Sequence, residues 1–298
     1  MNHHSYLKAN ATICYDNESA DLYLKDWLGL MLLKEQRGVI FLENAILRTE
    51  GLSIQFGALK AVNNVSVSIV EKKFTTILGP NGAGKTTFFN LISGFFKAAS
   101  GKVFFKDRDI TNLTPQERIH AGMGRSFQLT NVFPALTAHE NVRLSVQSAA
   151  DLGFTKLFKS YRRYNDIITE TDRLLDNILL GDKASVVAGD LTHGEQRKLE
   201  LGMVLAQKPE VLLLDEPTAG MSVEEVPIMI DLLQRIKDAG DSTVVLIEHK
   251  MGMVKTLSDT LIVLVNGELL CEGDPETVSK NPEVLSAYLG GGVVSVST

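Results

Sequence analysis

The sequence predicts an α/β fold with a mostly parallel core sheet, an antiparallel β subdomain and a helical insert. Three observations carry it. After Ile46, short apolar, β-branched runs alternate with stretches of helical period, the pattern of a parallel sheet covered by helices. Residues 130–190 change character, with apolar residues from Ile167 to Leu179 recurring at helical spacing. Turn signals at Lys106–Asp109 and Asn266-Gly267 follow apolar runs in the manner of hairpins.

Residues 1–43 are polar and weakly periodic, and read as an N-terminal appendage with a short helix over Asp21–Lys34. Adjacent His3 and His4 lack further metal ligands and read as solvent-exposed. The organised domain is expected over 44–290. Leu52–Phe56 reads as a strand, and Val65, Val67 and Ile69 as the buried face of another. Phe74–Leu78 is a short apolar run that suits a buried strand, followed by a Gly-rich turn and a helix over Thr86–Ser93. Val103–Phe105 enters the first hairpin.

A helical subdomain is expected over about 130–195, where Ile167, Ile168, Thr171, Leu174, Leu175, Ile178 and Leu179 form one apolar stripe. The charges between them, among them Asp166, Glu170, Asp172 and Arg173, read as its solvated face. Strand and helix then alternate again: Val211–Leu214, Val223–Ala239, Thr243–Ile247, and the hairpin Leu261–Val265 to Leu269–Glu272. A helix over Glu283–Leu289 precedes a tail at 291–298.

Composition sets bounds. The chain has 298 residues, 44% hydrophobic and 22% charged, which excludes collagen, coiled coil and wholesale disorder. Net charge is −6, with no basic stripe, so no nucleic-acid partner is expected. Cys14 and Cys271 lie far apart and predict no disulfide framework, in keeping with a reducing cytoplasm. No apolar run reaches the ~18–20 residues that span a bilayer.

Gly79-Pro-Asn-Gly-Ala-Gly84-Lys85-Thr86 matches G-x-x-x-x-G-K-[ST] in full. Its glycines turn backbone N–H groups inward around phosphate oxygens, and the helix that follows adds positive potential at its N-terminus. Lys85 reaches the β- and γ-phosphates, and the Thr86 hydroxyl ligates Mg²⁺. Asn81, Gly82, Gly84, Lys85, Thr86 and Thr87 are the candidate nucleotide contacts of this loop. A second half-site is Val211-Leu-Leu-Leu-Asp215-Glu216. A buried strand delivers Asp215 to its C-terminal end, where it can hold Mg²⁺ through water, and Glu216 can orient or deprotonate the attacking water.

Between the two lies Leu191-Thr192-His193-Gly194-Glu195-Gln196, which resembles the LSGGQ signature of ATP-binding cassette (ABC) ATPases. The other family motifs follow in order. Gln128 resembles the Q-loop glutamine, a contact to Mg²⁺ or water. Pro217–Met221 resembles the D-loop, His249 the switch histidine, and Phe56 the aromatic that stacks on adenine. The resemblance covers about 46–290 and implies an ATPase that uses ATP and Mg²⁺, with Glu216, His249 and Gln128 catalytic. Thr192, Gly194 and Glu195 would contact ATP held by a second cassette. The signature departs from the family: Thr192 replaces Ser, His193 the first Gly, and Glu195 Gln. Ser222 and Lys250 stand where acidic residues or Asn are frequent.

Within the family, Phe127–Val142, the His-Gly-Glu-Gln-Arg signature and the ending Ala287-Tyr-Leu-Gly290 resemble the ATPases of branched-chain amino-acid importers. That implies permease subunits, a second ATPase subunit (a sister chain or another copy) and, indirectly, a solute-binding protein as partners. It places the chain at the cytoplasmic face of the inner membrane, held there by the permeases. Urea and short-amide importer ATPases are near relatives of this group, and a non-transport ABC ATPase is the alternative.

Overall fold

Buried β-branched runs build the first half of the core. In the computed structural model of the chain, which describes residues 33–36, 39–42, 44–126, 131–150 and 161–289, the described elements fall into two units. One comprises the chain up to Arg118 together with Thr243 onward, and the other comprises Ile119–Ser242.

In the first unit, β5 (Phe74–Leu78) is buried along its whole length. Parallel neighbours flank it on both sides: β10 (Thr243–Ile247), with Ile247 opposite Ile77, and β11 (Thr260–Val265), with Val263 opposite Leu78. Strands buried on both faces favour apolar residues along their whole length, here with only Thr75, Thr76 and Thr243 buried among them, which is why these runs do not alternate. β12 (Glu268–Gly273) closes that edge antiparallel to β11. The turn between them has Asn266 at φ 52° and Gly267 at φ 80°, the two positive angles that a type I′ hairpin demands.

A second sheet of this unit is antiparallel, in the order β4-β3-β6-β7. It is built from β3 (Ala45–Phe56), β4 (Leu59–Val70), β6 (Ser100–Phe105) and β7 (Arg108–Asp109). Helix α1 (Lys85–Ile92) follows the phosphate loop and buries Phe88, Phe89, Leu91 and Ile92. Its C-terminal carbonyls are capped by Arg118, at the end of the unit, from α2 (Pro115–His120). The guanidinium donates to Leu91 O at 3.0 Å, Ile92 O at 2.6 Å, Ile110 O at 2.8 Å and Thr111 O at 3.0 Å.

Residues 33–42 form a short antiparallel pair, β1 (Leu33–Gln36) and β2 (Val39–Leu42). The helix expected over Asp21–Lys34 is therefore corrected at its end: Leu33 and Lys34 are strand, and 21–32 lie outside the described residues. The run Val39-Ile-Phe-Leu42 is strongly β-prone, and its pairing with 33–36 overrides the local helical pattern.

The second unit pairs β8 (Met123–Arg125) in parallel with β9 (Val211–Asp215) and carries a group of helices in mutual contact. These are α3 (Ala138–Ala149), α4 (Tyr161–Asn177) and α5 (His193–Leu205), which pack on one another. The stripe Ile167, Thr171, Leu174, Leu175 and Ile178 is buried, while Asp166, Asp172 and Arg173 are exposed. Leu179 departs from the expected stripe. It takes φ 58° just past the end of α4 and is exposed, because the helix stops there and turns the side chain outward. Helix α6 (Glu225–Ala239) begins two residues later than its periodicity suggests, with Val223 exposed in the entering turn.

The chain then returns to the first unit. There α7 (Met251–Leu257) follows β10, and α8 (Pro275–Lys280) and α9 (Pro282–Leu289) follow β12. They close a buried cluster of Leu78, Val254, Leu261, Val263, Cys271, Val278 and Val284. Cys271 is a buried free thiol, and Cys14 lies outside the described residues. Among the described residues, no helix is long and apolar enough to cross a membrane.

Candidate nucleotide site

The register of the first unit's sheet brings the ends of β5 and β10 level, so the phosphate loop and the Glu248-His249 pair leave the same edge. The loop itself is tightly held. Gly79 sits at φ 151°, and a Cβ there would stand 2.2 Å from the carbonyl oxygen of Leu264. Gly84 caps α1 at φ 92°, and its Cβ would meet Ala61 O at 2.2 Å. No residue with a side chain fits at either position. Above Gly82 the space is open, and Asn81 and Thr86 are exposed while Thr87 is half-buried. The loop thus leaves Gly82 and the Thr86 side chain open on one side while its back is sealed by backbone.

Lys85 Nζ donates to Gly79 O at 2.7 Å and Pro80 O at 2.9 Å, so the ammonium rests on the loop's own carbonyls. At the end of β3, Phe56 is 49% exposed and meets Phe96 edge-on at 5.6 Å and 71°. That exposure leaves room for a planar ligand. His249 is exposed, and its backbone N–H donates to the buried carboxylate of Glu248 at 2.9 Å, as does that of Lys250 at 3.2 Å. Glu248 thereby fixes the backbone that carries the histidine, a role the sequence pattern does not signal.

In the second unit, β9 delivers Asp215, 1% exposed, to its C-terminal end. The Arg125 guanidinium, from the neighbouring strand, lies 3.8 Å from its carboxylate. Burial lowers the Arg125 pKa, and Asp215 works against that shift. Arg125 is a further residue of the site that motif reading missed; its signal was a lone cation at the end of a short strand. Glu216 follows, half-buried, at φ 48°. Left-handed backbone at a residue with a side chain stores strain of the kind that collects at functional positions. Gln128 lies outside the described residues.

The signature segment opens α5. Thr192 is its N-cap in a full capping box: Thr192 Oγ1 accepts from Glu195 N at 3.2 Å, and Glu195 Oε2 accepts from Thr192 N at 2.9 Å. Lys183 pairs with Glu195 as well. Burial alone would raise the Glu195 carboxyl, but Lys183 and the Thr192 N–H outweigh it and hold it below the usual carboxylate range. The glutamate that departs from the family's glutamine therefore has its own cation and its own cap.

A second reciprocal pair follows the D-loop segment. Ser222 N donates to Glu225 Oε2 at 3.0 Å, and Glu225 N to Ser222 Oγ at 3.3 Å. The two pairs are joined, because Thr192 Oγ1 donates to Glu225 Oε1 at 2.9 Å. The Ser222 N–H and then the Thr192 hydroxyl hold Glu225 below the ordinary carboxylate range. Gly194 makes this fit: a Cβ there would lie 2.5 Å from the Glu225 carboxyl carbon.

Farther along the second unit, Asn141 is fully buried and orders the loop before α3. Its Oδ1 accepts from Phe133 N at 2.7 Å, and its amide donates to Phe133 O at 3.1 Å and Thr137 O at 2.9 Å. Phe133 itself is 52% exposed.

Comparison with known proteins places these features. Residues 62–219 match the ABC transporter family, and 268–294 match the branched-chain amino acid ATP-binding cassette transporter family. The high-affinity branched-chain amino acid transport ATP-binding protein LivG of Salmonella typhimurium is 36% identical over 82% of this chain and 98% of its own length. BraF of Pseudomonas aeruginosa, described in the same words, is 35% identical over the same shares. The ADP conformation of MJ1267, an ATP-binding cassette of an ABC transporter, superposes with a TM-score of 0.71 at 31% identity, covering 83% of this chain and 99% of that one. Motif chemistry, fold and relatives agree, and the chain belongs to the ABC transporter family as one of its ATP-binding cassettes.

Proposed function

We propose that this chain is the ATP-hydrolysing subunit of an importer for branched-chain amino acids. The observation that carries the reading is the match of 268–294 to the C-terminal segment of that group, added to a cassette whose relatives align over nearly their whole length.

In the proposed chemistry the loop N–H groups and Lys85 hold the β- and γ-phosphates, and Phe56 stacks on the adenine. Asn81, Gly82, Gly84 and Thr87 complete the loop's contacts. Thr86, Gln128 and Asp215 offer a hydroxyl, an amide oxygen and a carboxylate. Hard oxygen donors of this kind suit Mg²⁺, with Asp215 acting through water. Mg²⁺ bound there neutralises phosphate charge. Glu216 accepts a hydrogen bond from the attacking water and takes its proton, and His249 faces the γ-phosphate. Thr192, Gly194 and Glu195 meet nucleotide held by a second cassette, either a sister chain or another copy. ATP then favours the closed pair by binding it better than the open one.

Subunits of this family act with permeases. In this reading the permeases hold the chain at the cytoplasmic face of the inner membrane, and a solute-binding protein acts through them. The segment around Gln128 and the helical insert pass the motion on, and the exposed Phe133 supplies an apolar contact there. The 1–43 segment is an appendage to the 44–290 cassette.

The test is reconstitution with the co-purified permeases in lipid. Leucine-loaded binding protein is expected to stimulate phosphate release. Stimulation by urea or short amides instead would move the chain to that neighbouring group. Failure to associate with any permease would make it a non-transport ATPase.

A further inference from the structure

The C-terminal helix reaches the phosphate loop. Tyr288, on α9, accepts a hydrogen bond from Gly79 N at 2.8 Å. Its ring packs on the cluster that includes Leu78, Val254, Val263 and Val284, so the hydroxyl is aimed by apolar contacts on its own unit. Burial raises the phenol pKa, while the Gly79 N–H works against it; the hydroxyl stays neutral and keeps its acceptor lone pairs.

Gly79 is therefore held on every side. Its N–H is bound by Tyr288, the Leu264 carbonyl leaves no room for a Cβ on it, and its own carbonyl accepts Lys85 Nζ at 2.7 Å. The chain of contacts runs from Tyr288 through one peptide residue to the ammonium that the phosphate chemistry needs. Tyr288 also falls inside 268–294, the segment matched to the branched-chain group, and outside the 62–219 cassette match.

We infer that Tyr288 is a positioning residue for the phosphate loop: its hydroxyl fixes Gly79 and, through the Gly79 carbonyl, sets where Lys85 waits. This rests on the reading of the loop as the site of ATP phosphates. It assigns the C-terminal helix a part in nucleotide affinity as well as in packing.

The experiment uses the full chain and two fluorescent probes, the N-methylanthraniloyl derivatives of ATP and AMP. Tyr288→Phe keeps the ring on its cluster and removes only the acceptor. Affinity for the ATP probe with Mg²⁺ is expected to fall about three- to tenfold, the factor that one backbone hydrogen bond carries. KM for ATP should rise in parallel. Affinity for the AMP probe, which has no β- or γ-phosphate, should not move, while the nucleotide-free melting midpoint should fall only slightly, because the buried Gly79 N–H loses its acceptor. Tyr288→Ala should show the same loss together with a much lower midpoint, because the apolar cluster opens as well.

Wild-type affinity for the ATP probe in Tyr288→Phe would overturn the assignment. So would an equal loss for both probes, which is what a purely structural tyrosine gives. Lys85→Ala serves as the control. If it binds the ATP probe normally, the phosphate-loop reading fails and this inference with it. If it does not bind while Tyr288→Phe binds normally, only the role of the tyrosine falls.

Discussion

Lys85 has a place to rest before nucleotide arrives. Moving from neutral carbonyls to phosphate oxygens keeps the donor's charge and adds the acceptor's, so two ammonium–carbonyl bonds are exchanged for stronger ammonium–phosphate ones. Lys85→Ala should therefore lose at least tenfold in ATP affinity, and equilibrium titration that finds affinity unchanged would remove the residue from phosphate binding. Glu216→Gln keeps size and hydrogen bonding but not the base. ATP binding should survive while phosphate release falls by about 10²–10⁴. A sizing column run in Mg-ATP with the partner cassette present should then show a trapped pair, and near-normal turnover would exclude Glu216 as the base. Both residues were legible from sequence because each belongs to a contiguous motif on a recognisable strand end. Their supports were not. Tyr288 meets Gly79 across 209 residues, and Glu225 meets Thr192 across 33. Nothing in local spacing encodes such pairings, which appear only when the sheet register and helix starts are set.

At the scale of elements, α1 and the terminal hairpin carry testable loads. Arg118 is 1% exposed and serves five backbone carbonyls, counting Leu113 O at 3.2 Å. Burial lowers its pKa to about 10, which still leaves it charged at neutral pH. Arg118→Met should destabilise the fold by about 3 kcal/mol or more, because buried carbonyls at the end of α1 lose their donor. Lysine should not rescue it, since a single ammonium cannot replace the planar fork. Urea unfolding of the variants measures both. On β12, burial pushes the Glu272 carboxyl up to about 7. An acid whose folded pKa is raised costs stability once the unfolded chain ionises. The cost is absent below the ordinary glutamate value of 4.5, grows through the interval up to about 7, and is constant above it. Glu272→Gln should match wild type in melting midpoint near pH 4.5 and exceed it at pH 8; equal midpoints at both would refute the burial argument. The strands of this region were readable from their apolar runs and from Asn266-Gly267. The short helices α2, α7 and α8 were not, since six or seven residues give too little period to see.

For the whole molecule, every chemical motif lies beyond residue 43, whereas β1 and β2 lie before it. A chain lacking 1–43 should keep its ATP turnover, and loss of turnover or of folding would show that the β1–β2 pair is structural. The joined caps at Thr192–Glu195 and Ser222–Glu225 have a consequence for how the second unit breathes. One carboxylate serves the start of α6 and also holds the hydroxyl that starts α5. Neither first turn frays without unfastening its neighbour. In hydrogen exchange, the amide protons of Glu195 and Glu225 should therefore share a single opening free energy, and Glu225→Ala should separate the two values, turning one cooperative latch into two independent hinges.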